Sequence, residues 1–227
     1  MLEAGADLID VGGESTRPGA GAVDEREEIA RVVPVIAALR AATKAPISID
    51  TMKPSVAIEA SNVGASLWND VSALRTPGAL ETAAALHAPM ILMHMQGEPR
   101  TMQADPRYHD VVAEVIAFLK ERVAAAEGKG LKRIWVDPGI GFGKTLEHNL
   151  ALFAAIPRLA AHGYPLLVGV SRKGMFKAIV GREVTDRTAA SVAAALLAVQ
   201  KGAAMVRVHD VRETRDALRV LAVMGGV

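Results

Sequence analysis

The sequence predicts a parallel α/β barrel of the (β/α)₈ kind, a TIM barrel with seven of its eight strands present and the first one missing. Three observations lead there. Seven short apolar runs, at residues 7–11, 46–50, 66–71, 89–94, 133–137, 165–170 and 205–209, alternate with stretches of helical character. These runs are continuous in Ile, Val and Leu, which suits strands buried on both faces, as in parallel sheets. Almost every run ends in residues able to do chemistry: Asp10, Asp50, Asn69 with Asp70, His94, Asp137, Ser171 to Lys173, and Arg207 to His209. In a barrel all strand carboxyl ends meet on one rim, where the active site sits. A doubly wound sheet would use mainly the ends beside its switch point.

The helical stretches have their own signals. Residues 24–43 place Ile29, Val32, Val33, Ile36 and Leu39 on one stripe. Asp24 with Glu27 resembles a capping box at the start of that stretch, and Pro34 predicts a kink inside it. Residues 108–127 carry Val111, Val112, Val115, Ile116, Leu119 and Val123 at similar spacing, and 187–201 and 213–224 also read as helices. Gly5-Ala6, Gly64-Ala65 and Gly202-Ala203 each precede a strand, as expected of a glycine closing a helix with positive φ. Residues 1–5 read as the last turn of a helix, so the chain begins inside a βα unit whose strand is not in it.

At 227 residues the length suits one α/β domain spanning 1–227, and 51% apolar residues are ample for its core. Aromatic residues are only 4%, so aliphatic side chains must fill that core. Lys and Arg number 26 against 25 Asp and Glu, a balance that predicts neither a nucleic-acid nor a membrane surface. The absence of cysteine excludes disulfides and thiolate metal sites and agrees with a cytoplasmic protein. No apolar run approaches the length of a membrane span, and the first residues lack the features of a signal peptide.

The densest motif runs from Asp10 to Gly19, DVGGESTRPG, in which Gly12 and Gly13 predict a sharp turn or close approach. Thr16 and Arg17 are suited to an anion or a carboxylate. Asp50 ends SIDT, where a carboxylate orients an amine, stabilises positive charge or caps the next helix. Asn69-Asp70 offers either an amide for a heterocycle edge or a turn. His94 between Met93 and Met95 reads as a structural histidine. DPGIGFGK has neither Walker nor dinucleotide-loop spacing. What remains is Asp137, able to accept paired hydrogen bonds from a guanidine-like ring edge, and a loop carrying Phe142. Ser171, Arg172 and Lys173 place a hydroxyl and two cations after one strand, and Arg207 and His209, sharing one side of the next, predict a compact anion site for phosphate groups. No histidine pair has metal-ligand spacing.

DVGGESTRPGA, SIDT, WNDV, LMHMQG, DPGIGFGK, VGVSRK and RVHD occur in that order between Asp10 and Asp210. Together they closely resemble dihydropteroate synthase, a pterin-binding TIM-barrel family. The resemblance implies condensation of 6-hydroxymethyl-7,8-dihydropterin diphosphate with 4-aminobenzoate, Mg²⁺ as cofactor, and a homodimer. It implies that Asp50, Asn69, Asp137 and Lys173 hold the pterin, with Phe142 in the loop beside it. Thr16, Arg17 and Ser171 would serve the aminobenzoate, and Arg207 and His209 the diphosphate. Asp10, Asp50, Lys173, Arg207 and His209 would carry the chemistry. The family's magnesium-binding Asn belongs to a preceding strand, so no metal ligand is expected within this chain. On its own the chain is expected to be poorly soluble and nearly inactive. Two alternatives are a barrel that binds pterin without turnover and a pterin-dependent corrinoid methyltransferase.

Overall fold

The computed structural model describes residues 1–16 and 19–225. All seven apolar runs form strands: β1 Ile9–Gly12, β2 Ile47–Asp50, β3 Leu67–Asp70, β4 Met90–Met93, β5 Ile134–Asp137, β6 Leu167–Val168 and β7 Met205–Val206. Strands β1 to β5 pair in sequence order, every pair parallel. β6 pairs parallel to β7, and the Val136–Leu166 bridge joins β5 to this pair. Among the described residues the outer edges of β1 and β7 carry no strand partner. The sheet is therefore a seven-stranded (β/α)₈ barrel that lacks the strand between β7 and β1.

The α-helices follow the strands: α1 Glu25–Ala42, α2 Pro54–Asn62, α3 Ala79–Leu86, α4 Val111–Gly128, α5 Leu146–Ala154, α6 Ile156–Ala160, α7 Met175–Val180, α8 Thr188–Gln200 and α9 Val211–Met224. The Asp24 carboxylate caps α1 by accepting the Glu27 N–H at 2.9 Å. The Glu27 side chain turns instead to Arg31, at 2.9 Å, so only half of the expected capping box forms. α1 continues through Pro34 as one helix. Helix-packed strands explain the continuous apolar runs, because Ile47, Ile49, Met90 and Leu92 are all closed to solvent.

The repeated glycine turn is present at all three places. Gly5, Gly64 and Gly202 have φ of 98°, 115° and 109°, the left-handed region that a side chain rarely enters. Each returns the chain from a helical turn to a strand, so that every strand points the same way. The carboxyl ends of the strands thus gather Asp10, Asp50, Asn69, Asp137 and Arg207 at one end of the barrel.

Candidate active site

The centre of the rim is an arginine bridging two carboxylates. Arg207, just beyond β7, donates from Nε to Asp10 Oδ2 at 2.6 Å and from a terminal nitrogen to Asp50 Oδ2 at 3.0 Å. The Asp10 side chain is 13% exposed and that of Asp50 12%, whereas Arg207 keeps 48% open to the cleft. Arg207 also spans the gap left between β7 and β1. Asp10 further accepts the Ser48 hydroxyl and, at 3.3 Å, the Asn69 amide. Asp50 Oδ1 is buried without a hydrogen-bond partner. Burial, and then the neighbouring Asp10 carboxylate, push the Asp50 pKa up to about 7 against the opposing pull of Arg207.

Asn69 and Asp70 divide the two roles that the sequence left open. Asp70 is the turn former: its carboxylate accepts the N–H groups of Ser72 and Leu74 at 2.7 and 2.8 Å. It supports Ala73 and Leu74, which have φ of 55° and 58° without being glycine. Arg122 of α4 steadies the same turn by donating to both of their carbonyls, at 2.8 and 3.0 Å. Asn69 is left to face the rim beside Asp10.

The Asp137 carboxylate accepts the Gly139 N–H at 2.7 Å. Burial lifts its pKa to about 6, with that N–H, Lys173, Lys144 and Arg207 drawing it down. Gly139, Gly141 and Gly143 all have positive φ, of 66°, 86° and 60°. A Cβ on Gly139 would stand 1.8 Å from the His94 carbonyl oxygen, so this strand-end loop and the end of β4 are in backbone contact. The loop carries the Phe142 ring to the Lys173 ammonium, 4.0 Å from the ring centroid, a cation–π contact.

Ser171 and His209 come together. The Ser171 hydroxyl accepts the His209 N–H at 3.2 Å and lies 3.0 Å from His209 Nδ1. Arg172 turns away from the rim to a two-point ion pair with Asp210, one contact being Nε to Oδ2 at 3.1 Å. The β7 run is shorter than expected: pairing ends at Val206, so Arg207 and His209 project from the loop that follows.

Gly12 closes β1 and the chain bends at Gly13 and Glu14, with both glycines at ordinary φ. Gly13 is required for packing, since a Cβ there would meet Glu28 Cγ and Val32 Cγ1 at 2.8 Å each. Beyond it the Glu14 carboxylate accepts the Val23 N–H at 3.0 Å and Lys53 Nζ at 2.6 Å, pinning both ends of the loop that holds Thr16. Arg17 lies outside the described residues.

The magnesium ion implied by the resemblance is corrected. Among the described residues no group of three or more His, Asp or Glu side chains is arranged to hold a metal ion. Asp10 and Asp50 already share the Arg207 guanidinium, and Asp137 is turned to a backbone N–H, so these carboxylates do not form a cation cradle.

Two residues of this rim escaped the sequence reading. Ser48 was passed over inside SIDT, and Lys144 at the end of DPGIGFGK had no assigned role. Lys144 is 3% exposed and lies against His94, which is 6% exposed. A buried lysine signals itself only once its surroundings are known.

The comparisons with known proteins agree with this geometry. The family model described as "Pterin binding enzyme" matches residues 1–209. Dihydropteroate synthase of Haemophilus influenzae is 51% identical over 223 residues, covering 97% of this chain and 81% of the relative. The Xanthomonas albilineans dihydropteroate synthase solved with 4-aminobenzoic acid superimposes with a TM-score of 0.95 at 52% identity, covering 100% of this chain and 82% of that one. The same enzyme in complex with 7,8-dihydropteroate gives a TM-score of 0.90 at 48% identity, with coverage of 100% and 82%. With the fold, the rim and these similarities in agreement, the chain belongs to the dihydropteroate synthase family of pterin-binding enzymes.

Proposed function

We propose that this protein is a dihydropteroate synthase. It condenses 6-hydroxymethyl-7,8-dihydropterin diphosphate with 4-aminobenzoate, giving 7,8-dihydropteroate and diphosphate. The observation that carries this reading is the convergence of Asp137, Asn69 and Asp50 with Lys173 and Arg207 on one rim, on a chain half identical to enzymes of that name.

In this reading the buried Asp137 accepts the paired N–H donors of the pterin's guanidine-like edge, and Asn69 reads the neighbouring edge. Lys173, held over Phe142, lies along the ring. The diphosphate sits at Arg207 and His209, whose ring Ser171 steadies. When the bond from the pterin methylene carbon to oxygen breaks, the electron pair leaves with diphosphate and the carbon gains positive charge. Arg207 and His209 stabilise the leaving anion, while Asp10 and Asp50 favour the developing cation. The aminobenzoate nitrogen attacks that carbon and then releases a proton. Thr16 and Arg17 receive the aminobenzoate, and Ser171 supports that pocket. A covalent protein intermediate has no part in this sequence.

The chain acts as one domain, residues 1–227. Exposed apolar side chains on α8 and α9, Leu197 (48%), Val220 (56%), Val223 (84%) and Met224 (81%), support pairing of two copies, which sedimentation would detect as a homodimer. No helix of the described residues is long and apolar enough to cross a membrane. We place the protein in the cytoplasm because its diphosphate substrate is too charged to cross a bilayer unaided.

The test is calorimetric. Lys173→Ala removes the cation that lies along the ring, and pterin diphosphate binding should fall below detection. Unchanged affinity in the variant would refute the assignment of the pterin pocket.

A further inference from the structure

The buried lysine at the end of the glycine loop is unused in the mechanism above. Its ammonium lies 2.9 Å from the Gly139 carbonyl oxygen, 2.9 Å from that of Phe142 and 3.0 Å from His94 Nδ1. The His94 carbonyl oxygen stands a little farther off, at 3.4 Å. Burial pushes the Lys144 pKa down to about 7 against the pull of Asp137. In its charged form the group has three protons to donate and no acceptor capacity. Toward that ammonium His94 Nδ1 accepts, which puts the ring proton on Nε2 and leaves the ring neutral. The surroundings agree: burial, and then the adjacent Lys144 charge, push the His94 pKa down to about 3. The Phe118 ring packs edge-on against the imidazole with centroids 4.9 Å apart.

Each carbonyl that Lys144 holds belongs to a residue of the site. Gly139 carries the N–H that orients the Asp137 carboxylate, and Phe142 carries the ring beneath Lys173. His94 N–H in turn donates to the Asp137 carbonyl at 3.0 Å. The outer side of the loop has separate supports, with Gln103 donating to the Gly141 carbonyl and Tyr108 to that of Gly143. Lys144 is thus an inward anchor of the loop, beside Ile140, which is buried in the core, and Asn149, which accepts the Gly141 N–H at 2.6 Å.

We propose that Lys144 is a positioning residue of the pterin pocket. By gripping Gly139, Phe142 and His94 together, it sets the Asp137 carboxylate and the Phe142–Lys173 pair at the spacing the pterin ring needs. The inference rests on the functional reading above and adds to it a residue that touches no substrate.

The test replaces Lys144 with Met, which keeps the length and removes the ammonium. The KM for pterin diphosphate should rise about tenfold or more, the scale expected when reacting groups are misplaced by an ångström. The KM for 4-aminobenzoate should stay within about twofold, because that substrate is read by other loops. Nitrogen-15 NMR of the His94 ring should show an acceptor Nδ1 in the unsubstituted protein and a changed Nδ1 resonance in Lys144→Met. Equal loss for both substrates, or an unchanged pterin KM, would overturn the proposal. Should Lys144→Met not fold, His94→Asn and His94→Leu serve in its place. Asn returns an acceptor near the position of Nδ1, so pterin affinity should suffer less than with Leu, and equal effects count against the proposal. If the unsubstituted protein binds no pterin diphosphate, the functional reading fails. The anchor is then judged by the spectrum alone, and a proton on His94 Nδ1 overturns it.

Discussion

Asp137→Asn exchanges a buried ionisable side chain for a neutral one of the same shape, and the structure fixes the sign and scale of the result. The Asp137 pKa stands at about 6 against an ordinary 3.8, chiefly through burial. At ~1.4 kcal/mol per pH unit, keeping the carboxylate ionised in the folded protein costs ~3 kcal/mol at pH 7.5. Asn retains an oxygen for the Gly139 N–H and carries no charge, but it buries an additional amide donor, which costs about 1 kcal/mol. The variant should therefore be more stable by ~2 kcal/mol at pH 7.5, a rise in Tm of roughly 4–8 °C for a domain of this size. Below pH 3.8 both states of the native protein are protonated at this position. Between pH 3.8 and 6 only the folded state holds the proton, so the native chain loses stability as pH rises, and above pH 6 the loss is complete. The advantage of Asn must then be small near pH 4 and reach its plateau above pH 6, while pterin binding is lost throughout. Denaturant unfolding of both proteins from pH 5 to 8, with calorimetric titration by the pterin, measures this directly. A destabilised variant at pH 7.5, or a stability difference indifferent to pH, would refute the reasoning.

Three further outcomes follow from the geometry. Gly139→Ala places a Cβ 1.8 Å from a backbone oxygen at positive φ, so it should cost more than ~3 kcal/mol and abolish folded yield, whereas Gly19→Ala, with open space around it, should cost only ~1 kcal/mol; urea midpoints compare them. Arg207→Gln removes the charge that holds the Asp50 pKa down at about 7, so a carbon-13 titration should find Asp50 higher still and the loss of stability with rising pH should extend beyond pH 7. An Asp50 pKa that falls would contradict this. His87→Gly relieves a positive φ of 52° at the exposed end of α3 and should stabilise the protein by ~0.5–1 kcal/mol, read as a higher unfolding midpoint.

The parts of this protein set by short-range pattern were legible in its sequence. Each apolar run became a strand because burial on both faces selects an unbroken aliphatic run, and Gly5, Gly64 and Gly202 were recognisable because little else tolerates their φ. Pro34 was read as lying inside one helical stretch, and α1 runs through it. Gly13 was legible as a place of turning or close approach but not for its partners: its smallness serves Glu28 and Val32, a tertiary fact with no local signature. Asp10, Asp50 and Arg207 were each identified as rim residues, but not their mutual pairing, which joins positions 197 and 157 residues apart. The Lys144–His94 contact, 50 residues apart, was hidden for the same reason. The expectation of magnesium came from the family resemblance, and the placement of the carboxylates around Arg207 does not fit it.

The central claim is the condensation itself. The unsubstituted protein, incubated for hours with 6-hydroxymethyl-7,8-dihydropterin diphosphate and 4-aminobenzoate, should form 7,8-dihydropteroate and diphosphate in equal amounts. The rate should saturate in both substrates and vanish in Lys173→Ala. Pterin diphosphate binding without dihydropteroate formation, or product that persists in Lys173→Ala, would contradict the account.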